Sequence, residues 1–137
     1  MRDELVEERL TYSVIGGFFE SYNHLGFGFL EPLCVKALVV ELLARGHAVA
    51  TEVHVPVFYK GEELGVQRLD VVVDGRLVVE VKSTRELPPR SKRQLYNYLK
   101  AARLQVGLLL HYGPEPRAYR VINRAYQGQI PQIHRIQ

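Results

Sequence analysis

The sequence predicts an α/β domain with a mixed, mainly antiparallel sheet flanked by helices, and three observations carry that expectation. Apolar residues recur at three- and four-residue spacing up to Arg45. Strand-like runs then follow one another from Ala48 to Lys82. A further helical stretch and a short apolar run come after them. At 137 residues the chain has the length of one domain, enough to bury a core without disulfide staples. The core is expected over about 14–122, and the tail 123–137, which shows little periodicity, is expected to be loosely packed.

The elements are read in order. From Asp3 to about Leu25, Val14, Ile15, Phe18, Phe19, Tyr22 and Leu25 mark an amphipathic helix. Gly26-Phe27-Gly28 breaks it. A second helix runs from about Leu30 to Arg45, with Leu30, Leu33, Cys34, Ala37, Leu38 and Leu42 on its inner face and Gly46 as a stop. Val49, Val53, Val55 and Val57 alternate in a strand from Ala48 to Phe58, where Pro56 predicts an edge or a bend. Residues 59–63 turn the chain into a hairpin over 69–82. A Pro88-Pro89 loop leads to a helix at Ser91–Ala102, a buried strand at Val106–Tyr112 and an edge strand at Arg117–Ile122.

The hairpin contains the chemistry. Asp74-Gly75 tolerates the positive φ of a two-residue turn, which sets Val73 opposite Arg76 and Asp70 opposite Val79, one position from Glu80. A small register shift would bring the two carboxylates together. Alternation puts Glu80 and Lys82 on one face of the second strand. Charges placed in an apolar sheet need partners, and two carboxylates with an adjacent ammonium suit a hard divalent ion with bound water. Read alone, the same residues also describe an ion pair at a solvated sheet edge. Glu31, in the first turn of the second helix, has an ordinary role there as an acid favoured by the helix dipole.

Charge is distributed unevenly. Lys82, Arg85, Arg90, Lys92, Arg93, Lys100 and Arg103 face the single acid Glu86 within one segment, and the rest of the chain is slightly acidic. Such a stripe suits a polyanion held by its phosphates, or else is a solvated helix face. On the helix at Ser91, Gln94 and Tyr98 share the face of Leu95, Leu99 and Ala102, so the Gln94 amide meets a water, a phosphate or the lysine-bearing strand end, or else points to solvent. The single cysteine, Cys34, excludes an internal disulfide and a cysteine-based zinc cluster. Neither a signal-peptide core nor a membrane-length apolar run is present, so the expectation is a soluble cytoplasmic protein with no membrane partner.

Asp70, Glu80-Val81-Lys82 and Gln94-x-x-x-Tyr98, in the order helix, three strands, helix, strand, resemble the PD-(D/E)XK nuclease superfamily, and the Gln-x-x-x-Tyr element resembles its RecB-like branch. The runs Gly26 to Glu31, Val55 to Gly61, Gln94 to Lys100 and Val106 to Leu110 are similar to the small bacterial GxxExxY family. Leu69 stands where the superfamily has proline, and Cys34 where the family has tyrosine. The resemblance implies a restriction-endonuclease-like core and a nuclease needing Mg2+ or Mn2+. Asp70, Glu80, the Val81 carbonyl and Glu31 would hold the ion, Lys82 would position the attacking water, and Gln94 and Tyr98 would complete the site. Arg85, Arg90, Lys92, Arg93 and Lys100 are the candidate contacts to nucleic acid, DNA favoured over RNA. A second copy of the chain is the other candidate partner. The competing class is a catalytically silent module of the same fold that binds nucleic acid or a protein.

Overall fold

The computed structural model describes residues 7–126. Helices α1 (Glu8–Leu25) and α2 (Glu31–Ala44) precede strands β1 (Val49–Tyr59), β2 (Glu62–Val73) and β3 (Leu77–Lys82). Helix α3 (Ser91–Ala102), strands β4 (Val106–Tyr112) and β5 (Pro116–Ile122) and a short 3-10 turn at Arg124–Tyr126 complete the described chain. The strand order is β1-β2-β3-β4-β5. β1, β2 and β3 form an antiparallel meander, β3 and β4 run parallel and β5 is antiparallel to β4, so the mixed, mainly antiparallel sheet is as expected. Parallel pairing of β3 and β4 follows from the crossover through α3, which returns the chain to the same end of the sheet.

Both faces of the sheet are covered, and alternation sorts the side chains between them. Leu77, Val79 and Val81 of β3 join Val14 and Phe18 of α1 and Leu38 and Leu42 of α2 in one core cluster. Val78 joins Leu95 and Leu99 of α3 in the other, which places Glu80 and Lys82 on the α3 side. On the first side, the Phe18 and Tyr112 rings meet edge to face at 4.9 Å, and the Ser21 and Tyr112 hydroxyls share a 2.7 Å hydrogen bond. On the second, Gly107 of β4 lets Leu95 pack close, because a Cβ there would lie 3.0 Å from its Cδ1. Among the described residues no helix is long and apolar enough to cross a membrane.

Four expectations need correction. Leu30 and Leu33 are exposed rather than inward, because α2 meets the core through buried Cys34, Leu38 and Leu42, with Val35 packed beside them. β2 begins at Glu62, so residues assigned to a turn extend a long ribbon with β1, broken by a register shift between Val57 and Phe58, just after Pro56. Asn123, assigned to a loose tail, is fully buried and bonds Gln105 and Leu104 through its backbone N–H and its amide. The start expected for the first helix, 3–6, and the rest of the tail, 127–137, lie outside the described residues.

The hairpin register is the fourth correction and the one that matters for the site. Asp74 and Gly75 adopt the expected positive φ values of 54° and 65°, and the Arg76 N–H closes the turn on the Val73 carbonyl at 3.0 Å. The ladder then resumes one residue late, with Val73 opposite Leu77 and Val71 opposite Val79. Arg76 is therefore the extra residue, and Asp70 stands across from Glu80 instead of Val79.

Candidate active site

The β2–β3 ladder is only three pairs long, Val71 with Val79, Val72 with Val78 and Val73 with Leu77. Beyond it the strands fork. β3 continues along β4 as far as the Lys82–His111 pair, while β2 follows β1 past Leu69 and Val53. Asp70 and Glu80 occupy the fork. There the Asp70 carboxylate takes the place of a ladder partner, its Oδ2 accepting the Val81 N–H at 3.0 Å.

A cavity of about 440 Å³ opens at this point and is lined by Glu31, Asp70, Glu80, Lys82, Gln94 and Tyr98, among others. Every side chain expected to act in the chemistry thus borders one space, and Val81 contributes its backbone at the edge while its side chain stays in the core. Glu80 is only 4% exposed. Its Oε2 lies 3.4 Å from Lys82 Nζ, and its Oε1 is buried without a hydrogen-bond partner. Burial, reinforced by the Asp70 charge and opposed by Lys82, pushes the Glu80 carboxyl up to about 7. Burial and then Asp70 also raise the Glu31 carboxyl. Burial followed by the charges of Glu80 and Asp70 raises the Tyr98 phenol, and the neighbouring Gln94 side chain opposes that rise.

The expected nucleic-acid contacts divide. Arg90 and Arg93 line an adjoining cavity of about 350 Å³ that shares Lys82 and Gln94 with the first. Lys100 lines a further one with Asn97 and Arg103. Arg85 lies elsewhere, beside His111 and Arg117, and Lys92 sits 4.2 Å over the Tyr119 ring of β5. Two polar residues not singled out from sequence also border the carboxylate cavity. Arg68 lines the cavity and its charge opposes the rise of the Glu31 carboxyl; counting back two from Asp70 along the strand would have found it. Gln67 borders all three cavities, and its Oε1 is buried without a hydrogen-bond partner. No local periodicity marks it.

The donor set fits a hard divalent cation. Its carboxylates supply oxygen ligands, and the unpartnered Glu80 oxygen is the feature expected of a ligand atom rather than a structural carboxylate. Among the described residues, however, no three His, Cys, Asp or Glu side chains are grouped closely enough to share an ion as they stand. Glu80 is drawn to Lys82 and Asp70 to the Val81 amide instead.

Comparisons with known proteins agree with this layout at the level of fold. No curated protein matches the chain. Among solved structures, a protein designated SSO0001 superposes with a TM-score of 0.55 at 20% identity, over 77% of this chain. The match spans 57% of that protein's own chain, and at this identity it shows a shared fold. The model of the PD-(D/E)XK nuclease superfamily matches residues 8–124, from the start of α1 to the turn after β5, which takes in the fork and α3. A match over nearly the whole described chain places the protein in the PD-(D/E)XK nuclease superfamily.

Proposed function

We propose that the protein is a Mg2+- or Mn2+-dependent phosphodiesterase that hydrolyses nucleic acid, DNA in preference to RNA. The observation that carries this reading is Glu80, buried with one oxygen unpartnered, with Asp70 across the fork and Lys82 beside it on its own strand. A carboxylate in that state is costly to keep, and a divalent ion would relieve the cost. Asp70, Glu80, Glu31 and the Val81 carbonyl are the groups assigned to hold it. When bound, such an ion polarises a phosphoryl oxygen and supplies a water of lowered pKa.

The remaining chemistry is assigned to the chain's own side chains. Lys82, held beside Glu80, orients the attacking water and balances negative charge as it develops on the phosphate. Gln94 and Tyr98, neighbours on successive turns of α3, form the cavity wall opposite the carboxylates. Arg90 and Arg93, in the adjoining cavity, hold a flanking phosphate, and Lys100 holds one further along. Arg85 and Lys92 have weaker claims, since neither borders the carboxylate cavity or its neighbour. Within the superfamily we assign the chain to the RecB-like branch on Gln94 and Tyr98, and to the GxxExxY family on Gly28 and Glu31. A cytoplasmic location accompanies the nucleic-acid substrate in this reading.

A second reading has one observation in its favour. The lack, among the described residues, of a preassembled trio of metal-ligating side chains suits a silent module that binds nucleic acid or a protein without cutting. Lys82→Ala separates the two. The enzyme reading expects cleavage to fall by about two to four powers of ten while metal and nucleic-acid affinity hold, because the contact is needed mainly when the water attacks. The experiment is single-turnover cleavage of labelled single- and double-stranded DNA and RNA in Mg2+, Mn2+ and EDTA, with equilibrium binding alongside. Wild type that binds DNA and cuts nothing in either metal establishes the silent module.

A further inference from the structure

Loop 26–30 joins α1 to α2 and carries Gly-Phe-Gly-Phe-Leu immediately before Glu31. Gly26 and Gly28 hold φ values of 75° and 113°, a region that side-chain-bearing residues avoid, so the backbone on both sides of Phe27 is set by glycine. The result is an unusual display. Phe27 is 41% exposed, Phe29 45% and Leu30 72%. A short loop could have used polar residues at no cost, and adjacent exposed aromatics in one loop mark a contact surface.

The loop is fastened to the fork. The Ser83 hydroxyl, next in the chain after Lys82, donates to the Phe29 carbonyl, and the Cys34 thiol leans on the same oxygen at 3.9 Å. Only Leu30 separates Phe29 from Glu31 in the carboxylate cavity, at most about 7 Å of chain. Arg85, set apart from the other cations of the basic segment, has its guanidinium 5.7 Å from the Phe27 ring centre. Exposed rings with a cation beside them, joined through Leu30 to Glu31 of a cavity bordered by Arg68 and Lys82, make up the combination that binds single strands by stacking bases while the backbone follows a basic groove.

We infer that Phe27 and Phe29 form a stacking site for an unpaired DNA base next to the phosphate held at the fork, which makes single-stranded or frayed DNA the preferred substrate. The inference rests on nucleic acid being the ligand of the carboxylate cavity. Blunt duplex DNA keeps its bases paired and stacked on one another, so it offers these rings nothing until a terminal pair opens. Arg85 then serves the base or its phosphate at the loop instead of extending the grip of Arg90 and Arg93.

The test is fluorescence anisotropy in EDTA, where nothing is cut, with labelled single-stranded DNA, blunt duplex DNA and single-stranded RNA. Wild type is expected to bind single-stranded DNA most tightly. The Phe27→Ala, Phe29→Ala double variant is expected to lose about 5- to 100-fold of that affinity, the range for one lost base stack, with blunt-duplex affinity unchanged. Phe29→Trp in the wild-type background should keep the preference, and quenching of a 2-aminopurine base in the strand should vanish in the double variant. Full single-strand affinity without the two rings, or an equal loss for both DNA forms, overturns the inference, and tighter binding of the RNA overturns the choice of DNA. Cleavage by wild type with no effect of the rings on affinity leaves the nuclease reading intact and removes the stacking site. Single-strand binding that collapses with the rings, in a protein that cuts nothing, does the reverse.

Discussion

Asp74 and Glu80 lie in the same hairpin and receive opposite treatment from the fold. At the closed end, Asp74 is satisfied on every side. His47 Nδ1 and the Ala48 N–H bond its two oxygens at 2.8 Å each, and the Ser13 hydroxyl meets the far nitrogen of His47 at 2.8 Å. These contacts hold the Asp74 carboxyl below the usual aspartate value, the His47 bond first. At the forked end, Glu80 is more deeply buried, has one oxygen unpartnered and is pushed up to about 7. A serine, a histidine and an aspartate in line invite comparison with a hydrolase triad. Ser13, however, lies inside α1, whose N–H groups are committed to the helix and offer no oxyanion site. The first cluster is a clasp between α1 and the hairpin. The difference separates a carboxylate whose bonds the fold completes from one it leaves incomplete, and under the proposed function the first serves stability and the second chemistry.

The largest expected effect separates activity from stability. Glu80→Gln should lower cleavage by about two to four powers of ten while the metal-free protein stays folded and at least as stable, since a buried, repelled charge has been removed. Asp74→Ala should do the opposite, costing about 1–3 kcal/mol in urea melts and leaving cleavage by the remaining folded protein unchanged. Loss of stability in Glu80→Gln matching that in Asp74→Ala would erase the contrast.

The pH dependence sharpens it. Because the folded state raises the Glu80 carboxyl, it favours the protonated form, and metal-free stability from this group is lost as pH rises from about 4.5 toward 7. Because the folded state lowers the Asp74 carboxyl, it favours the ionised form. That contribution is complete above the ordinary value of 3.8 and disappears as pH falls through the lower folded value. Urea melts in EDTA across pH should therefore lose the slope between about 4.5 and 7 in Glu80→Gln and the slope below the ordinary aspartate value of 3.8 in Asp74→Asn.

The smallest effect concerns the basic helix. Arg90→Glu or Arg93→Glu should weaken DNA binding and reduce the slope of log affinity against log salt by about one unit, as each lost phosphate contact requires. Lys92→Glu, whose ammonium sits on Tyr119, should leave that slope nearly unchanged. Titration of affinity with salt reads both, and equal slopes for Arg90→Glu and Lys92→Glu would dissolve the division of the stripe.

Much of the fold was legible because it is local. A helical pattern after the Pro88-Pro89 loop gave α3, and a short continuous apolar run gave β4, their observed limits, and strand alternation alone fixed Glu80 and Lys82 on one face. The Asp-Gly turn was legible for the same reason, since positive φ is a property of the residues themselves. Tertiary structure decided what depends on partners distant in sequence. Asp74 is pinned by His47 and Ala48 of the preceding connection, Arg76 is left over as the ladder resumes, and that single-residue offset brings Asp70 across from Glu80. The fork, the entry of Gln67 and Arg68 into the site and the separation of Lys92 from Arg90 arise likewise, because register and strand divergence are set by what each strand pairs with on its other side.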